Sequence, residues 1–221
     1  RVGRGTANLA GGPAMSRDQA ARSVLYGYEI ATERIRSGVQ LLGTGDMGIG
    51  NTTPSSAVGT VLTGYSIQEM VGRGTGIDDE RLRIKREAVS ASLERNNPDS
   101  RDGLDVLAKV GGFELGGIAG CILAAAGHGI PVVLDGLIST AGALIADRLA
   151  PASRGYMFAG HVSEEPGHTN MLRHLGLDPL LDLGMRLGEG TGAALAMNLL
   201  DAAAALGSEV MTFDQAGVSV E

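Results

Sequence analysis

A chain of 221 residues, 43% of them hydrophobic and 19% charged, is long and apolar enough to bury one substantial core and is composed as a folded domain. Its net charge of −7 argues against nucleic acid as the principal partner. An aromatic content of 3% without tryptophan leaves neither a base-stacking platform nor a membrane-interface belt.

In chain order, residues 1–16 are rich in Gly, Asn and Pro and read as an extended loop. The opening Arg1–Gly5 has no signal-peptide core; without an initiator methionine it reads as the start of a fragment or a processed product. Ser16 with Gln19 three residues on forms a capping-box pattern. The helix it opens runs to about Ser37, with Leu25, Tyr28, Ile30, Ala31 and Ile35 expected on the buried side. Gly38 ends it, and Val39–Leu42 is the first expected strand. A glycine-rich turn, 43–50, leads to a helix at 51–62, a helical turn at 67–71 and a second glycine loop at 72–76. Asp78 is placed to cap a charged helix over 79–95, whose apolar positions Leu82, Ile84, Val89 and Leu93 are only moderately periodic. After a polar turn at Asn96–Ser100 come helices at 102–109 and 113–127, the second carrying the lone Cys121. One cysteine makes no internal disulfide, which suits a reducing cytoplasm.

The second half alternates more plainly. A strand at Ile130–Leu134 ends in Asp135-Gly136, and a helix at 138–149, a strand at 155–159 and a helix at 167–175 follow. The apolar run Leu180–Leu187 then passes through Gly188–Gly192 into a helix at 190–206. Strands separated by helices imply an α/β fold with a mostly parallel, Rossmann-like open sheet and helices on both faces. The α/β domain is assigned to 17–206 and a C-terminal segment to 207–221. No stretch is long enough to span a bilayer.

Open parallel sheets bind ligands at the carboxyl ends of their strands, which directs attention to the loops at 43–53, 72–76, 135–139, 160–167 and 188–192. Glu189 has a glycine on either side, so it is either a general base held close to a ligand or an acid that complements a helix start. The first loop formally contains G-x-G-x-x-G at Gly43, Gly45 and Gly48. Gly50 and Pro54 disturb the helix that a dinucleotide site needs, and Glu69 follows no strand. The loop still offers amides and the hydroxyls of Thr52 and Thr53 to an anion. Beyond the second loop stands Lys85, one of two lysines in an arginine-rich chain. It is either a compact charge for a phosphate or part of a solvated helix face. His161, Ser163, Glu164, Glu165 and His168 read as a polar loop without H-E-x-x-H, a cysteine pair or G-x-S-x-G. There Ser163 is a hydrogen-bond donor to a ligand.

Taken together, G-D-M-G-I-G-N-T-T at 45–53, G-R-G-T-G at 72–76, D-G-L-I-S-T-A at 135–141, H-V-S-E-E-P-G-H at 161–168 and R-L-G-E-G-T-G-A-A-L-A at 186–196 resemble the nicotinate-nucleotide:dimethylbenzimidazole phosphoribosyltransferases of cobalamin biosynthesis. The resemblance extends to T-F-D-Q-A-G-V-S at 212–219 and implies a carboxyl-terminal portion, with the family's amino-terminal region absent. It implies transfer of phosphoribose from nicotinate mononucleotide to a benzimidazole-type base, giving an α-ribazole phosphate and nicotinate. Glu189 matches the catalytic base. Gly48, Gly74, Lys85 and Ser163 match positions around the phosphate and ribose, with Asp135 and Gly188 beside them. Asp46, Met185 and Leu187 match the base pocket, and Asp46 stands where many members have Glu, one methylene longer. The resemblance implies no cofactor or metal, and a homodimer. Two alternatives are a nucleotide-binding fragment without turnover and an NAD-dependent dehydrogenase.

Overall fold

A computed structural model describes residues 1–74 and 76–217. Thr75 of the second glycine loop, and Val218 and Ser219 at the end of T-F-D-Q-A-G-V-S, lie outside the described residues. Four parallel strands, β1 (Leu42–Gly43), β2 (Val132–Leu134), β3 (Met157–Ser163) and β4 (Pro179–Met185), lie side by side in chain order. There is no reversal of strand order of the kind found in a Rossmann sheet. Parallel crossovers that step in one direction stack their helices on one face. On that face, α2 (Thr52–Thr63), α5 (Gly103–Val110), α6 (Phe113–Gly127), α7 (Leu137–Leu149) and α8 (Pro166–Leu175) form the main core with Val132, Leu134 and Met157. The last helix, α9 (Thr191–Glu209), covers the other face, where Ala193 and Ala196 pack on Val133. Alternate residues of β2 thus serve opposite cores, as strand geometry requires.

The amino-terminal helix α1 (Arg17–Arg36) opens with the expected capping box: the Gln19 amide donates to Ser16 Oγ, and the Ser16 amide donates to Gln19 Oε1. Its buried face is different from the one expected. Ala20, Ser23, Val24, Gly27 and Ala31 are inside, whereas Leu25 and Ile30 are 54% and 59% exposed. The cause is close helix packing. A Cβ on Gly27 would overlap the backbone of Gly117 in α6, and one on Gly120 would overlap the Val24 carbonyl. The face that can approach α6 is the one made of small residues, so the large side chains are left outside.

The short α3 (Ile67–Met70) and the long α4 (Asp79–Asn96), capped by Asp78, appear where the sequence placed them. In α4, Val89 is buried, but Ile84 is half exposed and Lys85 takes an inward position. Three strands are displaced from their expected positions. Val39 bonds back to the carbonyl of Arg34, which delays β1 until Leu42. β2 starts after Pro131, which has no amide to give to a ladder. Pro151–Tyr156 forms a 3-10 turn, so β3 starts at Met157 and runs on to Ser163. His161 and Ser163 therefore stand on a strand and not in a loop. α9 continues past residue 206 to Glu209.

Candidate active site at the carboxyl edge of the sheet

The strands all point the same way, so the segments that follow them meet at one edge and enclose a cavity of about 360 Å³. Asp46–Ile49 and Thr52 come from the segment after β1, and Gly74 from the second glycine loop. Asp135–Ser139 follow β2, His161, Ser163 and Glu165 come from the end of β3 and beyond, and Arg186–Glu189 follow β4. All five loops singled out in the sequence contribute to its wall.

Glu189 stands at the mouth in the left-handed region, φ 59°, between Gly188 at φ 77° and Gly190 at φ 78°. That conformation costs a non-glycine residue about 1–2 kcal/mol, and strain of this kind concentrates at functional sites. Two contacts hold the turn. The Glu189 amide donates to the Asp46 carbonyl at 2.9 Å, and Met47 bridges Gly188 in antiparallel fashion. The loops after β1 and β4 are thereby tied together, and Glu189 shares the cavity wall with Asp46 and Leu187, the latter 65% exposed. Met185 is not part of the lining; it ends β4 in register with Ser163.

Asp135 is almost fully buried, and its carboxylate is committed to the protein. It accepts from the amides of Gly190 (3.1 Å), Gly192 (2.8 Å) and Ala193 (3.3 Å), and His161 Nε2 lies 3.3 Å away. Burial works to raise this carboxyl, but His161 and the Gly190 and Gly192 amides outweigh it and hold the group below the usual range. The Ser163 amide donates to His168 Nδ1 at 2.9 Å, and its hydroxyl, which accepts from the Glu165 amide at 3.4 Å, lies at the cavity.

Lys85 is buried, not part of a solvated face. Its Nζ donates to the Gly72 carbonyl at 2.9 Å and lies 3.7 Å from where a Cβ on Gly74 would be. Burial pulls the ammonium below its ordinary range, and the charge of Glu165 works in the opposite direction. Asp46 is raised by burial, against the Met47 amide and an Asn51 side-chain bond of 3.2 Å that stabilise its anion. Helices α2 and α7 begin at this cavity, at Thr52 and Leu137, without a side-chain cap on their first amides. Helix starts of that kind attract anions.

A family model described as phosphoribosyltransferase matches residues 1–218. The chain belongs to this family. It is 58% identical over 219 residues to the nicotinate-nucleotide–dimethylbenzimidazole phosphoribosyltransferase of Desulforudis audaxviator, covering 99% of this chain and 62% of that protein. It is 52% identical to the protein of the same name from Dehalococcoides mccartyi, covering 97% and 61%. The crystal structure of CobT from Thermus thermophilus superimposes with a TM-score of 0.94 at 52% identity, covering 100% of this chain and 66% of that one. The chain thus spans about 62% of the length of the curated relatives it matches.

The structure also brings to the cavity residues that sequence reasoning gave no role. His161, which matches no metal-ligand pattern in the sequence, stands in the wall. Glu165 lines the wall, with its Oε2 buried and without a hydrogen-bond partner among the described residues. Ile138, Ser139 and Arg186 complete it. All of these lie inside the quoted motifs. The missing signal was which side of each loop faces inward.

Proposed function

We propose that this chain carries a site that transfers the phosphoribosyl group of nicotinate mononucleotide to 5,6-dimethylbenzimidazole or a related lower-ligand base, giving α-ribazole 5′-phosphate and nicotinate. One observation carries the reading. A glutamate fixed in a strained turn shares one cavity with an anion-binding wall made of Gly74, two uncapped helix starts and the buried Lys85 behind them. The names of the relatives support it.

In this reading the phosphate lies against Gly48, Gly74 and the first amides of α7, with Lys85 polarising the loop from behind and Ser163 bonding the sugar. The base lies among Met47, Ile138 and Leu187 near Asp46 and Glu189. One imidazole nitrogen attacks the anomeric carbon from the face opposite nicotinate, so the configuration inverts. The bond to nicotinate breaks, and its electron pair neutralises the pyridinium nitrogen. Glu189 takes the proton from the second imidazole nitrogen. The leaving group is already cationic, so positioning and electrostatics suffice.

The chain pairs as a homodimer in this reading, supported by the exposed Leu183 on the edge strand β4 and Leu199 and Leu206 on α9. It works in the cytoplasm, supported by its lone thiol. Among the described residues, no helix is long and apolar enough to cross a membrane. The test of the transfer is chromatography of the chain with both substrates, expecting nicotinate and α-ribazole 5′-phosphate in equal amounts. Absence of product together with absence of calorimetric binding of nicotinate mononucleotide overturns it.

A further inference from the structure

Two buried histidines, His161 in the cavity wall and His168 behind it, have ring centroids 5.9 Å apart, and their contacts assign them different charge states. At His168 the Ser163 amide donates to Nδ1 at 2.9 Å, so that nitrogen keeps its lone pair. Nε2 then carries the proton and donates to Thr140 Oγ1 at 3.0 Å, whose own proton goes to the Gly136 carbonyl at 3.0 Å. The ring is neutral and satisfied, and full burial lowers its pKa to about 3.

At His161 both neighbours are acceptors only. Nδ1 makes a 3.0 Å hydrogen-bond contact with the Val162 carbonyl, and Nε2 lies at an ion-pair distance of 3.3 Å from Asp135 Oδ1, out of line for a hydrogen bond and otherwise without a partner among the described residues. A neutral ring protonated at Nδ1 leaves the Nε2 lone pair buried beside the Asp135 anion; the imidazolium makes both contacts attractive. The ring is 2% exposed, and a Cβ on Gly192 would fall inside it, so it is wedged against the start of α9. The charged and titratable groups facing it are Asp135 from the end of β2 and the neutral His168 from α8. The first turn of α9 faces it with backbone alone, and β4 is in register through Leu181.

Asp135 is also the acceptor that gathers the amides of Gly190, Gly192 and Ala193, directly after Glu189. The Glu189 turn is therefore suspended between two supports, the Asp135 carboxylate on one side and the Asp46 carbonyl on the other. We propose that His161 is a positioning residue: as a buried imidazolium it fixes the Asp135 carboxylate, and through it the turn that presents Glu189. Its consequence for catalysis rests on the transferase reading above; the charge state and the restraint on the turn do not. Removal of the cation leaves Asp135 a buried anion without a partner charge, and the amides it holds become loose.

The test uses the chain itself. Long-range ¹H–¹⁵N spectra of histidine-labelled protein at neutral pH are expected to show both His161 nitrogens protonated and only Nε2 protonated in His168. An unprotonated nitrogen in His161 overturns the imidazolium. In hydrogen exchange, His161→Gln is expected to speed the amides of Gly190, Gly192 and Ala193 at least tenfold, without a comparable change in the amides of β2. Unchanged exchange at those three amides overturns the restraint. If His161→Gln does not fold, Asp135→Asn keeps the ring in place and is expected to free the same amides. Where turnover is measured, His161→Gln is expected to lower kcat about 10–100-fold, as a small misplacement does, with KM for nicotinate mononucleotide within about threefold. In a Glu189→Gln background the same substitution is expected to cost little more, because both act through one group. Fully additive losses overturn a role through Glu189. If the parent chain shows no turnover and no nucleotide binding, the transferase reading fails, while spectra and exchange still decide the clamp.

Discussion

Replacing Lys85 with methionine separates two roles that the buried ammonium combines. Its stem packs within the fold, and its Nζ holds the Gly72 carbonyl at 2.9 Å directly behind Gly74, where the charge of Glu165 acts on it. Lys85→Met keeps most of the stem and removes the charge; Lys85→Ala removes both. A hydrogen bond to a charged group contributes about 1.5–3 kcal/mol, so losing the cation behind the phosphate wall is expected to raise Kd for nicotinate mononucleotide about ten- to a hundredfold. Binding of free dimethylbenzimidazole, which has no phosphate, is expected to change less than about threefold. The alanine variant loses stem packing as well, at about 0.8 kcal/mol per buried methylene, and is expected to melt below the methionine variant while binding the nucleotide no better. Calorimetry with both ligands and thermal melts of both variants give all four comparisons. Wild-type affinity for the mononucleotide in Lys85→Met would refute the phosphate role and leave Lys85 as a structural tie for the Gly72–Gly74 loop.

Glu189→Gln keeps the strained turn and its amide bond to Asp46 and is expected to lower turnover by roughly 10²–10⁴-fold with nucleotide binding nearly intact; near-full turnover would remove it as the base. Asp46 binds its proton more tightly when folded than unfolded, because burial disfavours the anion. Its contribution to stability is therefore present at acid pH and lost as pH rises through the folded pKa. Asp46→Asn is accordingly expected to raise the melting temperature at neutral pH but not below the ordinary carboxylate range, and equal shifts at both pH values would contradict this. Gly120→Ala forces a Cβ onto the Val24 carbonyl between α6 and α1. Such overpacking costs about 1–3 kcal/mol, or roughly 2–12 °C in melting temperature for a chain of this size, and an unshifted melt would show that the two helices can separate freely.

Local chemistry wrote several parts of this molecule directly into the sequence. Ser16 with Gln19, Ser66 with Glu69, and Asp78 each cap a helix through bonds that span three residues, so a linear reading can find the caps of α1 and α4. The alternation of apolar runs with helical segments was enough for a parallel sheet, and parallel strands deliver their following loops to one edge. The convergence of five glycine-bearing loops was legible for that reason. What depends on partners far along the chain was not. Leu25 and Ile30 satisfy helical periodicity, yet the neighbour of α1 is a glycine-lined helix about ninety residues on, and only contact distance shows that small residues face it. For Lys85 the sequence leaves a phosphate partner and a solvated face both open, and only the Gly72 carbonyl, brought to it by the fold, places it inside. Asp135 sits at the strand end where a ligand acid is expected. Its oxygens accept from amides 55 to 58 residues later, at 190, 192 and 193, and face the His161 ring of the next strand. A hydrogen bond is decided by which groups come within about 3 Å of each other, and between distant segments that is a property of the folded chain.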